Sequence, residues 1–144
     1  MSLYADTSLL ISYYINDSNS ARAQSLIHAM TGPLPFTGLH RLEMRNALAL
    51  GVFRHVLTPA QISAAWADVK RDLRAGRLLP QPINWMPVFR AAAQWAALHC
   101  TSVGCRSLDV LHVATAKKLN AVEFFTFDTR QKALAHMLGL TVRP

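Results

Sequence analysis

Two aspartates follow short apolar runs, a position from which a carboxylate can bind a ligand. Asp6 comes directly after Leu3-Tyr4-Ala5, and Asp128 comes directly after Glu123-Phe124-Phe125-Thr126-Phe127. Each run is short and mostly apolar, which predicts a buried strand. Ligands of open parallel α/β sheets bind beyond the carboxyl ends of the strands. We therefore expect both carboxylates to face one crevice.

Two further carboxylates lie in the first turns of predicted helices. Asp109 follows Ser107-Leu108, and Glu43 lies near the start of a helix predicted over Leu39 to Val52. Several carboxylates in one crevice repel one another, so a cation is expected among them. Their hard oxygen atoms suit Mg²⁺ or Mn²⁺, which can activate water for attack on a phosphodiester. The pattern predicts a metal-dependent site with one or two metal ions.

Each of these four carboxylates also has an ordinary structural interpretation. Asp6 and Asp128 could be helix N-caps, and Gln131 stands three residues after Asp128, as in a capping box. Asp109 could complement the helix dipole, and Glu43 could be a surface charge. Occurring together, the four favour a shared site.

The other four acidic residues are expected to have ordinary roles. Asp17 lies in a predicted turn, and Glu123 begins a strand. Asp68 and Asp72 lie among basic residues on one helix, which predicts a solvated face of mixed charge.

Strands and helices alternate along the whole chain, and these elements must position the carboxylates. Strands are predicted at 3–5, 34–37, 77–81, 122–127 and 140–142. Helices are predicted at 20–30, 39–52, 59–75, 88–100, 107–119 and 129–138, and another helix begins at Thr7-Ser8. Ser107 is expected to cap the helix that follows it. The segment from Pro80 to Pro87 is expected to be a rigid connector. Alternation implies parallel crossovers. We expect one domain over residues 1–144, an α/β fold in the form of a three-layer α/β/α sandwich with a short parallel central sheet.

Composition narrows the classes of function. Half of the 144 residues are hydrophobic (51%) and 16% are charged, which is typical of a compact globule. No long apolar run or signal peptide is evident, so no membrane association and a cytoplasmic location are expected. Cys100 and Cys105 are too few for a disulfide framework or a zinc site and are expected to be reduced, largely buried thiols. The net charge of +7 favours a polyanionic partner.

Each of the four carboxylates stands inside a longer motif. The motifs are Tyr4-Ala5-Asp6-Thr7-Ser8-Leu9-Leu10, Leu42-Glu43-Met44-Arg45-Asn46-Ala47-Leu48, Asp109-Val110-Leu111-His112-Val113-Ala114-Thr115-Ala116 and Thr126-Phe127-Asp128-Thr129-Arg130-Gln131-Lys132-Ala133-Leu134-Ala135. In order and spacing they resemble the PIN-domain nucleases, especially the VapC-like toxins of toxin–antitoxin pairs, over essentially the whole chain. The resemblance implies adjacent first and fourth strands, which would bring all four carboxylates to one crevice.

The resemblance further implies an endoribonuclease that uses Mg²⁺ or Mn²⁺. Asp6, Asp109 and Asp128 would hold the metal directly or through water, and Glu43 would be an outer ligand or would orient the attacking water. An RNA substrate, a cognate antitoxin that occupies the cleft and a homodimer are also implied.

Several neighbouring side chains are candidates for supporting roles. Thr126 could hydrogen-bond a carboxylate or water, or only satisfy the backbone, and Thr7 and Ser8 share this ambiguity. Arg130 could contact the substrate or pair with the acidic cluster. For His112 we expect a hydrogen-bonded place near the core in preference to general-acid chemistry. The basic residues nearest to the motifs are Arg45, Arg106, Lys117, Lys118, Arg130 and Lys132.

Three other interpretations compete with the toxin. A housekeeping RNA-processing PIN nuclease would share the same chemistry, and a neighbouring gene of antitoxin size would separate the two. A catalytically weak PIN-fold module that binds RNA or protein is disfavoured, because all four acidic positions are filled. A phosphotransferase of the haloacid-dehalogenase type would need a second aspartate where Ser8 stands.

Overall fold

The computed structural model describes residues 2–143, so Met1 and Pro144 of the predicted 1–144 domain lie outside the described residues. Two compact units are formed, one by residues 2–6 with 82–143 and one by residues 7–81. The strands are β1 (Leu3–Ala5), β2 (Leu34–Phe36), β3 (Leu78–Pro80), β4 (Glu123–Phe125) and β5 (Thr141–Arg143). The helices are α1 (Thr7–Tyr14), α2 (Ser20–His28), α3 (Gly38–Phe53), α4 (Pro59–Arg74), α5 (Trp85–Val103), α6 (Ser107–Lys118) and α7 (Thr129–Met137). No helix within residues 2–143 combines the length and apolar character needed to cross a membrane.

The first unit is built around a parallel sheet in the order β1-β4-β5. Ala5 lies opposite Phe125, so β1 and β4 end side by side, as the resemblance implied for the first and fourth strands. The rings of Tyr4 and Phe124 stack 5.7 Å apart in the core. Helix α6 is buried continuously from residue 110 to residue 116, which makes it the central helix of this unit.

The second unit contains α1 to α4 and a two-stranded parallel sheet of β2 and β3. Apolar side chains such as Leu10, Met44 and Leu48 fill its core. Helix α4 begins as predicted, with the Thr58 side chain accepting a hydrogen bond at the N-cap and Pro59 at the start of the helix.

The predicted α/β class with a short parallel sheet is confirmed, while several boundaries differ. The connector predicted through Pro87 was wrong, because α5 already begins at Trp85. A proline is tolerated in the first turn of a helix, since the amide it lacks has no partner there. Helix α5 ends at Gly104, whose φ of 67° closes it in the left-handed region. The prediction of Ser107 as the cap was wrong by one residue, because Ser107 is the first residue of α6 and Arg106 is its N-cap.

Candidate active site

A hydrogen-bonded path joins two of the predicted carboxylates at the ends of β1 and β4. The Thr126 hydroxyl donates to Asp6 Oδ2 at 2.9 Å, and its oxygen accepts from the Asp128 backbone N–H at 3.0 Å. The two strands continue their pairing here, since the Asp6 N–H donates to the Phe125 carbonyl. Asp6 and Thr126 are buried. The structure contains both interpretations of Thr126, because its hydroxyl group contacts a carboxylate and also satisfies a backbone N–H.

Asp109 lies in the first turn of α6, as predicted. Its Oδ2 accepts hydrogen bonds from the backbone N–H and the Nε–H of Arg106, both at 3.2 Å. The Asp109 side chain is 16% exposed, whereas that of Arg106 is 80% exposed. An ion pair with one partner so open to water contributes little to stability. The Asp109 carboxylate is therefore accessible and only weakly neutralised by its neighbour.

Gln131, in the first turn of α7, connects the loop after β4 with α6. Its backbone N–H donates to Asp128 Oδ1 at 2.8 Å, and its side-chain Nε2 donates to the Asp109 carbonyl at 3.3 Å. Gln131 is fully buried. All three predicted aspartates of the first unit are thus reached through Thr126 and Gln131.

Asp128 also fulfils its ordinary interpretation. Its side chain accepts from the third residue of α7, which makes it the N-cap of this helix. An N-cap uses the hydrogen-bonding capacity of one carboxylate oxygen, so the cap and a metal-binding role are compatible in one side chain. Substitutions that keep the cap and remove the charge can separate the two roles.

Glu43 belongs to the second unit, where it lies on α3. Its Oε1 accepts a hydrogen bond from the Thr7 hydroxyl at 2.9 Å. Thr7 is buried, whereas the next residue, Ser8, is exposed. The role of Glu43 beside the three aspartates of the first unit stays a prediction from the sequence.

His112 takes the core position expected for it. Its Nδ1 lies 2.8 Å from the Tyr4 hydroxyl oxygen, and the two rings meet edge to face with centroids 5.8 Å apart. The imidazole is buried. This contact ties α6 to β1, so His112 helps to fix the helix that carries Asp109.

Two further side chains border the aspartates. Arg130 donates from Nη1 to the Gly104 carbonyl at 3.4 Å. Burial above all, together with the charges of Cys100, Asp109 and Asp128, raises the pKa of the Cys105 thiol to about 11, although Arg130 acts to lower it. Both cysteines are free and half-buried, so the thiols are less enclosed than the sequence predicted.

Asp72 is the acidic residue that the sequence interpretation placed wrongly. It lies on α4 as a buried group instead of on a solvated face. Its carboxylate accepts from the Tyr14 hydroxyl at 2.8 Å and from Arg77 Nη1 at 3.0 Å. It borders a cavity of about 460 Å³ in the second unit. Alternating charges along one helix cannot reveal which of them a neighbouring helix covers.

Metal-binding geometry is not preformed. Among residues 2–143, no group of three or more His, Cys, Asp or Glu side chains lies close enough together to hold a metal ion. Asp6, Asp109 and Asp128 each accept hydrogen bonds from groups beside them. The donor set is nevertheless one of hard carboxylate oxygens, the kind that Mg²⁺ and Mn²⁺ prefer.

Comparison with known families decides the classification, because the PIN domain family model matches residues 3–137. The chain belongs to the PIN domain family. PIN domains are generally nucleases, which supports a nuclease function for this PIN domain. Comparison with curated proteins gives no match.

Solved structures share the PIN fold at low sequence identity. VapC20 of Mycobacterium tuberculosis, described as a Sarcin-Ricin loop cleaving toxin, is 17% identical with a TM-score of 0.70, covering 99% of this chain and 100% of its own. FitAcB from Neisseria gonorrhoeae is 18% identical with a TM-score of 0.63, covering 99% and 96%. VapBC2 from Rickettsia felis, bound to a DNA fragment from their promoter, is 13% identical with a TM-score of 0.62, covering 99% and 98%. At these identities the likeness establishes the fold.

Proposed function

We propose that this PIN domain is a metal-dependent endoribonuclease that hydrolyses RNA phosphodiester bonds as the toxin of a toxin–antitoxin pair. The observation that carries the proposal is the hydrogen-bonded path through Thr126 and Gln131. It ties together Asp6, Asp128 and Asp109, the three aspartates of the first unit that stand in PIN-like motifs. Structural likeness to VapC20, FitAcB and VapBC2 favours the toxin over a housekeeping nuclease or a binding module.

The proposed cofactor is Mg²⁺, with Mn²⁺ as an alternative. Asp6, Asp109 and Asp128 would hold it directly or through water, and Glu43 would act as an outer ligand. When bound, such an ion supplies an activated water and offsets charge on the phosphate. The solvated Arg106–Asp109 ion pair is weak enough to yield its carboxylate to a divalent cation.

The chain's own residues would prepare this site. Thr126 fixes one oxygen of Asp6 by donating a hydrogen bond, so the carboxylate keeps one orientation. The cap on α7 fixes Asp128 in the same way. Restricting the orientations of a carboxylate beforehand lowers the conformational entropy that is lost when it binds the ion.

RNA is the proposed substrate because the chain is strongly basic. Without the four carboxylates of the proposed site, the chain has 15 basic side chains and 4 acidic ones. On the first unit, Lys132 and His136 line a shallow groove of about 800 Å³ along α7, which begins directly after Asp128. Such a surface would bind phosphodiester backbone, with an affinity that falls as salt rises.

An antitoxin and a second copy of the chain are the proposed protein partners. Likeness to VapC20, described as a toxin, and to VapBC2, bound to a DNA fragment from their promoter, supports a cognate antitoxin here. The chain also exposes large apolar side chains on both units, including Phe53 (79%) and Leu98 (70%). Covering such side chains with a partner would remove apolar surface from water, which is favourable. The proposed location is the cytoplasm, where an RNA-cleaving toxin would meet its substrate.

The test is RNA cleavage by the purified protein and by Asp6→Asn, titrated with Mg²⁺ and Mn²⁺ and chelated with EDTA. Asp68→Asn is the matched control, because Asp68 pairs with Arg71 on the surface of the second unit. We expect metal-dependent cleavage in the wild type and the control, and none in Asp6→Asn. Equal cleavage by Asp6→Asn, or cleavage that persists in EDTA, would contradict the proposal.

The toxin role needs a cellular test. Induced expression of the wild type should arrest growth, and coexpression of the product of a neighbouring gene should relieve the arrest. Asp6→Asn should not arrest growth. Arrest by Asp6→Asn at an equal protein level would argue against RNA cleavage as its cause.

A further inference from the structure

Gln131 is a buried amide placed between two of the proposed metal ligands. One end of the residue, its backbone N–H, contacts the Asp128 carboxylate at 2.8 Å. The other end, Nε2, contacts the Asp109 carbonyl at 3.3 Å. The side chain has no exposed surface. Gln131 therefore lies between the Asp128 carboxylate and the backbone of the residue that carries the Asp109 carboxylate.

The second polar atom of this amide, Oε1, has no hydrogen-bond partner among the described residues. Turning the amide over does not remove the problem, because Oε1 would then face the Asp109 carbonyl, and two acceptors repel. Buried acceptors in folded proteins are nearly always paired with a protein donor or an ordered water. The unpartnered oxygen thus indicates a missing donor at this place, which an ordered water can supply.

We propose that Gln131 Oε1 accepts a hydrogen bond from a water molecule held beside Asp109 and Asp128, and that this water belongs to the hydration shell of the divalent metal ion. The inference rests on the proposed function. Mg²⁺ and Mn²⁺ keep several waters when few protein groups bind them, and the partners of those waters influence affinity. Gln131 is accordingly a positioning residue, which acts on the metal through water.

The first variant removes the acceptor without shortening the side chain. For Gln131→Met we expect Mn²⁺ affinity, measured from the electron paramagnetic resonance of free Mn²⁺, to fall about tenfold, the effect typical of outer-shell partners. The thermal midpoint of the metal-free protein should change little, because the variant also removes an unpaired buried acceptor. Gln61→Met is the matched control, since Gln61 occupies the same position of α4 but its Oε1 is paired with the Thr58 N–H. It should leave Mn²⁺ affinity unchanged.

The second variant restores an acceptor and discards the amide donor. Gln131→Glu should bind Mn²⁺ at least as tightly as the wild type, although it should be less stable without metal because its second oxygen faces the Asp109 carbonyl. The added charge is controlled by Gln131→Met combined with Thr129→Glu, which adds one negative charge in the same helical turn at an exposed position. We expect this combination to stay weaker than Gln131→Glu. Should Gln131→Met fail to fold, Gln131→Leu, alone and combined with Thr129→Glu, takes its place in both comparisons.

Three outcomes would overturn the inference. Gln131→Met could bind Mn²⁺ as the wild type does, Gln131→Glu could lose affinity about tenfold, or the charge control could rescue binding as well as Gln131→Glu. Failure of the proposed function is distinguishable from each of these, because the wild type itself would then bind no Mn²⁺ at the aspartates and would cleave no RNA.

Discussion

The Thr126 hydroxyl donates a hydrogen bond to Asp6 Oδ2 at 2.9 Å, across two parallel strands and 120 residues of sequence. Its oxygen also accepts the backbone N–H of Asp128 at 3.0 Å. One buried hydroxyl thereby sets the position of one carboxylate and of the chain that carries another. Replacing a side chain that makes two such contacts with an apolar group of the same shape should lower stability.

Thr126→Val should lower the free energy of unfolding by about 1 to 3 kcal/mol, because buried Asp6 loses this donor and the Asp128 N–H loses its acceptor. Chemical unfolding of the metal-free protein measures the change. Thr115→Val is the matched control: Thr115 is equally buried, but its hydroxyl donates only to the Leu111 carbonyl of its own helix. The control should change stability little. Equal losses in both variants would show that the contact to Asp6 has no special weight.

Substitution of Asp128 separates its cap from its proposed metal role. Asn caps helices as well as Asp does, so Asp128→Asn should keep the stability of the wild type, whereas Asp128→Ala should lose about 1 kcal/mol. Both variants should lose Mn²⁺ binding and RNA cleavage. Thermal unfolding and a Mn²⁺ titration make the comparison. If Asp128→Asn bound Mn²⁺ as tightly as the wild type, Asp128 would have only its role as a helix cap.

The reactivity of Cys105 reports the charges around the aspartates. Because burial and nearby negative charge raise its pKa to about 11, its alkylation by iodoacetamide should be slow at neutral pH and should accelerate as pH approaches that value. In metal-free protein, Asp109→Asn should lower the pKa and Arg130→Gln should raise it. The rate at Cys105 is followed by peptide mass spectrometry. Shifts of the same sign in both variants would contradict this electrostatic explanation.

Tyr14 should make the protein sensitive to alkali. Burial raises its pKa well above the ordinary 10.0, and its hydrogen bond to Asp72 raises it further. The unfolded tyrosine ionises near pH 10 while the folded one stays protonated, so its contribution is complete below that pH and is lost progressively above it. Tyr14→Phe should be about 1 to 2 kcal/mol less stable at neutral pH.

The difference in the free energy of unfolding between Tyr14→Phe and the wild type should then shrink as pH rises above 10. Unfolding by urea across this pH range measures the difference. Parallel stability curves for the two proteins would mean that Tyr14 does not titrate with unfolding. Tyr14 lies outside the unit that contains the three aspartates, so Tyr14→Phe should leave Mn²⁺ affinity unchanged. That measurement is the control for an intact site.

The sequence by itself determined the α/β class and the positions of Asp6, Asp109 and Asp128 on their elements, whereas the adjacency of the first and fourth strands came only from the resemblance to the PIN-domain nucleases. These features depend on residues close together in the chain: apolar runs, caps such as Thr58, and aspartates that directly follow strands. The Asp128-x-x-Gln131 spacing also predicted the cap that α7 has. Local interactions of this kind do not depend on which other elements pack against the helix or strand.

Only the tertiary structure decided which polar groups are buried and what they contact. The charge pattern of α4 placed Asp72 in solvent, yet Tyr14 and Arg77 enclose it. Nothing near Thr126 in sequence identifies Asp6 as its partner, and no local signal shows that both ends of the Gln131 amide are buried. Burial and long-range hydrogen bonds depend on how elements pack, and packing joins residues as far apart as positions 6 and 126.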